Sequence, residues 1–224
     1  MPVPRAVVFD MDGLMFNSED VYWEVGCAVL RRRGYAFDRA LSDAMMGRPP
    51  QPSFEVMIRW HGLSDTWQQL AAESEECFIE LLDGILTPMP GLLDLLVALE
   101  ASGIPKAIAT SSSRRLVEAV LSRFQMQPRF QFILSAEDIV HGKPDPEIYL
   151  KAAELFGLKP AEVLVLEDSQ TGCRAAAAAG AFAVAVPGEH SRGQDFGVAS
   201  LVIESLADPR LYGALELPRT GGAC

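Results

Sequence analysis

Ala6-Val7-Val8-Phe9-Asp10-Met11-Asp12-Gly13 is the stretch from which the rest of the sequence can be ordered. Four apolar residues stop abruptly at an acid, the pattern of a short strand buried on both faces. Open α/β sheets bind their ligands at the C-terminal end of such strands. Asp10 and Asp12, at i and i+2, can project toward the same side of the chain, and Gly13 lets the backbone turn sharply. One carboxylate could act as a nucleophile and the other as proton donor and acceptor. A capped strand-to-helix turn would use the same residue types.

Comparable runs recur at residues 104–109, 130–134, 163–166, 182–186 and, more weakly, 201–203, with helical patterns between most of them. The expected fold class is therefore α/β, a Rossmann-like parallel sheet flanked by helices. Residues 17–87 break the rhythm with several helical patterns and no convincing strand. They predict an inserted α-helical bundle, leaving 1–16 and 88–224 as the α/β core. Within the insertion, Asn17 or Ser18 is expected to cap a first helix that Gly34 stops. A second covers 38–46, a third ends at Gly62, and a fourth, capped by Ser64 or Asp65, runs to Gly84. Residues 14–17 and 87–91 are the expected hinges, and the last dozen residues are expected to fray.

Composition narrows the function. The 224 residues, 49% hydrophobic and 22% charged, suit one large globular domain or a domain with a modest insertion. No segment approaches the roughly 18 apolar residues of a membrane-spanning helix. The run before Asp10 is also shorter than the about 7–15 residues of a secretion signal. Four cysteines with no CxxC pair fit a reducing compartment, so a cytoplasmic protein is expected. A formal charge of −11 works against nucleic acid as a partner. The basic run Arg31-Arg32-Arg33 is better placed to complement a helix C-terminus.

Three further motifs carry chemistry. Leu164-Val165-Leu166-Glu167-Asp168 is a second apolar strand ending in acids, and in a parallel sheet its end opens on the same edge as Asp10. Four carboxylates converging there would need protons or a cation, since one like-charge pair at about 4 Å and an effective dielectric near 20 costs about 4 kcal/mol. All-oxygen ligands favour Mg²⁺. Ala107-Ile108-Ala109-Thr110-Ser111-Ser112-Ser113 runs a strand into hydroxyls at a helix start, suited to a phosphate oxygen or to ordinary capping. His141-Gly142-Lys143-Pro144-Asp145-Pro146 fixes a lysine that could balance the acids; a solvated lysine is the plain alternative.

In this order, DMDG, the strand ending at Ser111, the GKPDP lysine and LEDSQTG make the chain resemble the haloacid dehalogenase superfamily, in the subgroup with a helical cap inserted after the first strand. The resemblance implies that Asp10 is the nucleophile, forming an aspartyl phosphate, and Asp12 the general acid and base. It implies Ser111, Ser112 and Lys143 as phosphate-binding residues. Asp10, Asp12 through its backbone carbonyl, Asp168 and, nearby or through water, Glu167 are implied as the Mg²⁺ site. Members that are dehalogenases lack the second Asp, so phosphoryl chemistry is expected.

The expected activity is a Mg-dependent phosphatase acting on a sugar phosphate or nucleoside monophosphate, as a monomer. A β-phosphoglucomutase-like isomerase is the alternative, and a non-catalytic binder of phosphorylated metabolites a third reading. Such mutases carry a His in the first cap helix, where this chain has Tyr22, and their cap-loop Arg is matched only by a displaced Arg48. Tyr22, Arg48 and Gln51 are the expected substrate contacts in the cap. Arg114 and Arg115 could line the entrance. Asn17 departs from the Asp of many relatives and bears on the hinge.

Overall fold

The computed structural model describes residues 3–46 and 49–218. Gly47, Arg48 and the last six residues lie outside that set, and with them the candidate cap contact Arg48. Among the described residues, the chain divides into two compact units that separate between Phe16 and Asn17 and between Thr87 and Pro88.

The first unit is built on one six-stranded sheet. Its strands are β1 (Ala6–Phe9), β2 (Lys106–Ala109), β3 (Ile133–Leu134), β4 (Val163–Glu167), β5 (Phe182–Ala185) and β6 (Leu201–Val202), in the order β3-β2-β1-β4-β5-β6. Every pairing is parallel. Central β1 is flanked by β2 on one side and β4 on the other, with Val8 opposite both Ala107 and Val165. The chain therefore switches direction across the sheet at β1, and the ends of β1, β2 and β4 share one edge.

Burial on both faces explains why these strands read as unbroken apolar runs. Val8, Val163 and Val165 pack with Ile148, Tyr149, Ala152, Ala175 and Ala176. Those partners belong to two helices, α7 (Glu147–Phe156) and α8 (Gln170–Ala179). The alternate residue Phe9 meets the edge of Phe130, with ring centroids 5.9 Å apart. Helices α5 (Leu92–Ala101), α6 (Arg114–Arg123) and α9 (Pro209–Ala214) complete this unit. Leu215 and Leu217, in the segment expected to fray, are buried, so the described part of the terminus is held by packing.

The second unit contains α1 (Ser18–Arg31), α2 (Arg39–Met45), α3 (Pro50–His61) and α4 (Trp67–Leu81). Val21, Val25, Val29, Leu41, Met57, Leu70 and Phe78 form its buried centre. Gly26 admits the Phe37 ring so closely that a Cβ there would lie 2.7 Å from it. The cap of α4 differs from expectation. Thr66 makes a capping box with Gln69, and Asp65 instead pairs with Arg33, which also binds Glu73 and donates to the Val29 carbonyl at 2.8 Å. Arg33 draws Asp65 away because its guanidinium gives the carboxylate two parallel charged bonds where a cap would give one backbone N–H. At the ends of the unit, Asn17 N donates to Thr87 O at 3.1 Å and Thr87 N to Asn17 Oδ1 at 2.6 Å. Asn17 is the N-cap of α1 by position alone, since its side chain makes no cap bond.

Candidate active site

The turn after β1 places the first two acids. Met15 N and Phe16 N both return to the Met11 carbonyl, and Gly13 N donates to Phe16 O, so the chain closes on itself within a few residues. Gly13 sits at φ +74°, and a Cβ there would lie 2.4 Å from Asp168 Oδ2. Glycine is thus needed for the backbone angle and for the approach of the Asp168 carboxylate from the end of β4.

Asp10 is anchored in the sheet by its N–H to the Leu166 carbonyl, and its side chain is almost fully buried. Lys143 Nζ donates to Asp10 Oδ1 at 2.5 Å, to Glu167 Oε1 at 2.7 Å and to the Ala109 carbonyl at 3.0 Å. All three ammonium protons are engaged, so Lys143 acts as a fixed charge between two carboxylates. Burial opposes that charge, yet Asp10 and Glu167 hold Lys143 well above the usual lysine range. Burial also pushes the Asp10 carboxyl up to about 8; Lys143 pulls it back, and Glu167 and Asp12 add to the rise.

Glu167 is wholly buried and its oxygens are occupied. Oε1 accepts from Lys143 and from the hydroxyl of Tyr149, and Oε2 from Ser169 Oγ at 2.9 Å. Its first duty in this structure is to hold Lys143. Tyr149 places its ring under the same ammonium, 5.1 Å from Nζ to centroid. Sequence reasoning missed Tyr149, whose helical spacing marks it only as core. The available signal was that a buried phenol needs a partner.

Asp12 is held differently. Oδ2 accepts from Ser112 Oγ at 2.6 Å and from Thr110 Oγ1 at 3.3 Å. Oδ1 is shut off from solvent and has no hydrogen-bond partner. Between those two hydroxyls in sequence, Ser111 is exposed, and its side chain has no partner among the described residues. Ser113 caps α6 by accepting from Leu116 N, and Glu137 accepts from Arg114 N. These two N–H groups of the helix start are satisfied by protein groups, and the exposed Ser111 hydroxyl is a donor still available to a ligand.

The donor set suits a divalent cation. Asp10, Glu167 and Asp168 each offer an oxygen, all within 4.8 Å of one another. Four acids share one lysine, and the charges of Glu167 and Asp12 add to burial, the larger effect, in opposing ionisation of Asp10. A hard cation bound by oxygens offsets that negative charge, and the absence of His or Cys from this set agrees with Mg²⁺ chemistry.

The other candidates have partners within their own units. Tyr22 packs its ring on Phe78, with centroids 4.6 Å apart, and Gln51 is exposed and donates to Glu55 at 3.0 Å. Arg114 pairs with Asp138, and the exposed His141 meets Glu147 at 3.1 Å. Among the described residues no helix is long and apolar enough to cross a membrane.

Comparison with known proteins follows the same lines. Residues 7–186 match the family described as haloacid dehalogenase-like hydrolase. The chain is 33% identical over 216 residues to a probable pseudouridine-5'-phosphatase of Drosophila melanogaster, covering 92% of each chain. It is 29% identical over 213 residues to the beta-phosphoglucomutase of Bacillus subtilis, covering 91% of each. The crystal structure of CbbY from Rhodobacter sphaeroides in complex with phosphate superposes with a TM-score of 0.84 at 26% identity, covering 96% of this chain and all of that one.

Proposed function

Because this chain belongs to the haloacid dehalogenase-like hydrolase family, we propose that it is a phosphatase of small phosphorylated metabolites that works through an aspartyl phosphate on Asp10. The observation that carries the reading is the meeting of Asp10, Asp12, Lys143 and Asp168, drawn from separate segments, at the edge where β1, β2 and β4 end.

The chemistry divides hydrolysis into two displacements. A carboxylate oxygen of Asp10 attacks phosphorus and the bond to the ester oxygen breaks, while Asp12 gives that oxygen its proton. Water then attacks the aspartyl phosphate, Asp12 takes the water proton, and the Asp10 carboxylate is regenerated with release of phosphate. Lys143 orients Asp10 and keeps its attacking form charged, and Ser111 supplies a hydroxyl to a phosphoryl oxygen. A bound Mg²⁺, held by Asp10, Asp168 and the Asp12 carbonyl, would neutralise charge on the phosphoryl oxygens.

The substrate class we infer is a sugar phosphate or a nucleoside monophosphate, with residues 17–87 acting as a cap and Tyr22, Arg48 and Gln51 choosing the leaving group. The enzyme is proposed to act as a cytoplasmic monomer, in keeping with its free thiols at Cys27, Cys77 and Cys173.

The test is phosphate release from a panel of sugar phosphates and nucleoside monophosphates, with and without Mg²⁺, while β-glucose 1-phosphate is followed for isomerisation. Metal-dependent release is expected. Isomerisation with little release would select the mutase reading that the Bacillus subtilis relative favours. Tight binding of these esters without turnover would select the non-catalytic one.

A further inference from the structure

We propose that Ser112, assisted by Thr110, is a positioning residue that decides which oxygen of Asp12 handles the proton, and that its hydroxyl is not a phosphate ligand. The proposal rests on the phosphatase reading above and assigns a role within that site.

The geometry is a closed triangle. Ser112 has one hydroxyl proton, and it goes to Asp12 Oδ2 at 2.6 Å. Thr110 has one as well, and it goes to the same oxygen at 3.3 Å. Thr110 Oγ1 in turn accepts from Ser112 N at 3.1 Å, so the hydroxyl and the N–H of Ser112 are both already engaged. The backbone of this loop is pinned to β3 and the turn after it: Thr110 N donates to Leu134 O at 3.0 Å and Ala136 N to Ser112 O at 3.0 Å. Thr110 is almost wholly buried. The chain bends at Ser111 and Ser112, so that Thr110 and Ser112 both reach Asp12 while Ser111 between them stays exposed and free for phosphate.

Two donors on Oδ2 make that oxygen an acceptor only. A proton placed on it would force both hydroxyls to turn away and give up their bonds to it. The proton to be transferred must therefore ride on Oδ1, the oxygen that is shielded from solvent and has no partner. Proteins rarely leave a buried carboxylate oxygen orphaned, and doing so here makes sense if the missing partner is the reacting oxygen. In the first displacement the Oδ1 proton passes to the ester oxygen as its bond to phosphorus breaks and the Asp10–phosphorus bond forms. In the second, Oδ1 takes a proton from water as the new oxygen–phosphorus bond forms and the Asp10–phosphorus bond breaks.

Proton donation matters little to a leaving group that departs readily as an anion and much to one that does not. The experiment is kcat/KM for Ser112→Ala, Ser112→Thr and wild type on p-nitrophenyl phosphate, phenyl phosphate and a primary alkyl phosphate, together with competitive inhibition by inorganic phosphate. Ser112→Ala is expected to lose about ten- to hundredfold more on the alkyl ester than on the p-nitrophenyl ester. Inhibition by phosphate should be unchanged, and Ser112→Thr should restore the alkyl ester. An equal loss on all three esters with weakened inhibition by phosphate would overturn the proposal and return Ser112 to phosphate binding. Unchanged kinetics would also overturn it. Asp10→Asn run alongside separates the two levels, because wild-type turnover by that variant would reject the aspartyl-phosphate reading itself.

Discussion

Gly172 and Glu167 are in contact across the start of α8: a Cβ on Gly172 would fall 1.9 Å from the Glu167 carboxylate. Alanine is the better helix former by about 1 kcal/mol, and propensity alone would favour Gly172→Ala. The collision decides the sign, because Glu167 is fixed by Lys143, Tyr149 and Ser169 and has nowhere to go. Gly172→Ala is expected to lower stability by about 1–3 kcal/mol and to reduce activity through the displaced Lys143. Urea denaturation and phosphate release measure the two effects; a more stable, fully active variant would contradict this account.

Lys143 is the cation common to Asp10 and Glu167, and Lys143→Met strands both carboxylates in a buried place. Removing one partner of a buried pair costs about 3–5 kcal/mol, and turnover is expected to fall by about 10²-fold or more. Adding Glu167→Gln should recover part of the stability and none of the activity. Strict additivity of the two changes in a double-mutant cycle would show that the contact carries no coupling.

Asp10→Asn keeps the shape of the side chain and removes the proposed nucleophile. Turnover is expected to vanish with the far-ultraviolet circular dichroism unchanged, and mass spectrometry after acid quench should find no phosphorylated chain. A phosphorylated peptide recovered from this variant and mapping outside residue 10 would move the nucleophile elsewhere.

Asn17 can play its part only as an amide. Its Nδ2 donates to Asp20 Oδ2 at 2.9 Å and to the Ile85 carbonyl at 3.2 Å, while Oδ1 accepts from Thr87 N. Asn17→Asp turns both donations into oxygen–oxygen repulsion and is expected to cost about 1–3 kcal/mol. Hydrogen exchange at Thr87 should accelerate. Unaltered protection there would show that the two ends of the helical unit are closed by something other than this side chain.

Acid lability should report on Glu100. Bidentate hydrogen bonding from Arg129, aided by Lys106, holds its carboxyl down to about 2 against the opposing effect of burial. A depressed carboxyl contributes stability that is complete above the unfolded value of 4.5 and disappears as pH falls from there toward 2. Glu100→Gln should therefore be less stable than wild type near neutrality, with the difference closing across that window. A constant difference in urea midpoint from pH 6 to pH 3 would exclude the linkage.

The legible and illegible parts of the sequence separate by range. Parallel strands buried on both faces announce themselves as apolar runs, so β1, β4 and β5 and the acids that end β1 and β4 could be read locally. The lysine ahead of Pro144 and Pro146 was legible too, from its immediate sequence neighbours. Which of the hydroxyls from Thr110 to Ser113 faces the acids was not, because the bend at Ser111 and Ser112 is held by bonds to Leu134 and Ala136, far along the chain. Tyr149 was hidden by its own apolar setting in α7, where its hydroxyl meets a carboxylate 18 residues away. The cap of α4 passed to Thr66 because Arg33, 32 residues from Asp65, competes for that acid. Each miss is a side chain whose partner is remote.

The central position of β1 has a consequence for the birth of the protein. Both strands that pair with it lie far downstream, and α1 to α5 intervene before the first of them is made. On the ribosome, Ala6–Phe9 must emerge as an unpaired, wholly apolar strand while the local contacts of the helical insertion form. On the proposed mechanism the nascent chain carries its nucleophile, Asp10, long before it can hydrolyse anything, since Asp168 has still to leave the exit tunnel. Its early apolar strand is the segment for which a holding chaperone has most reason to compete.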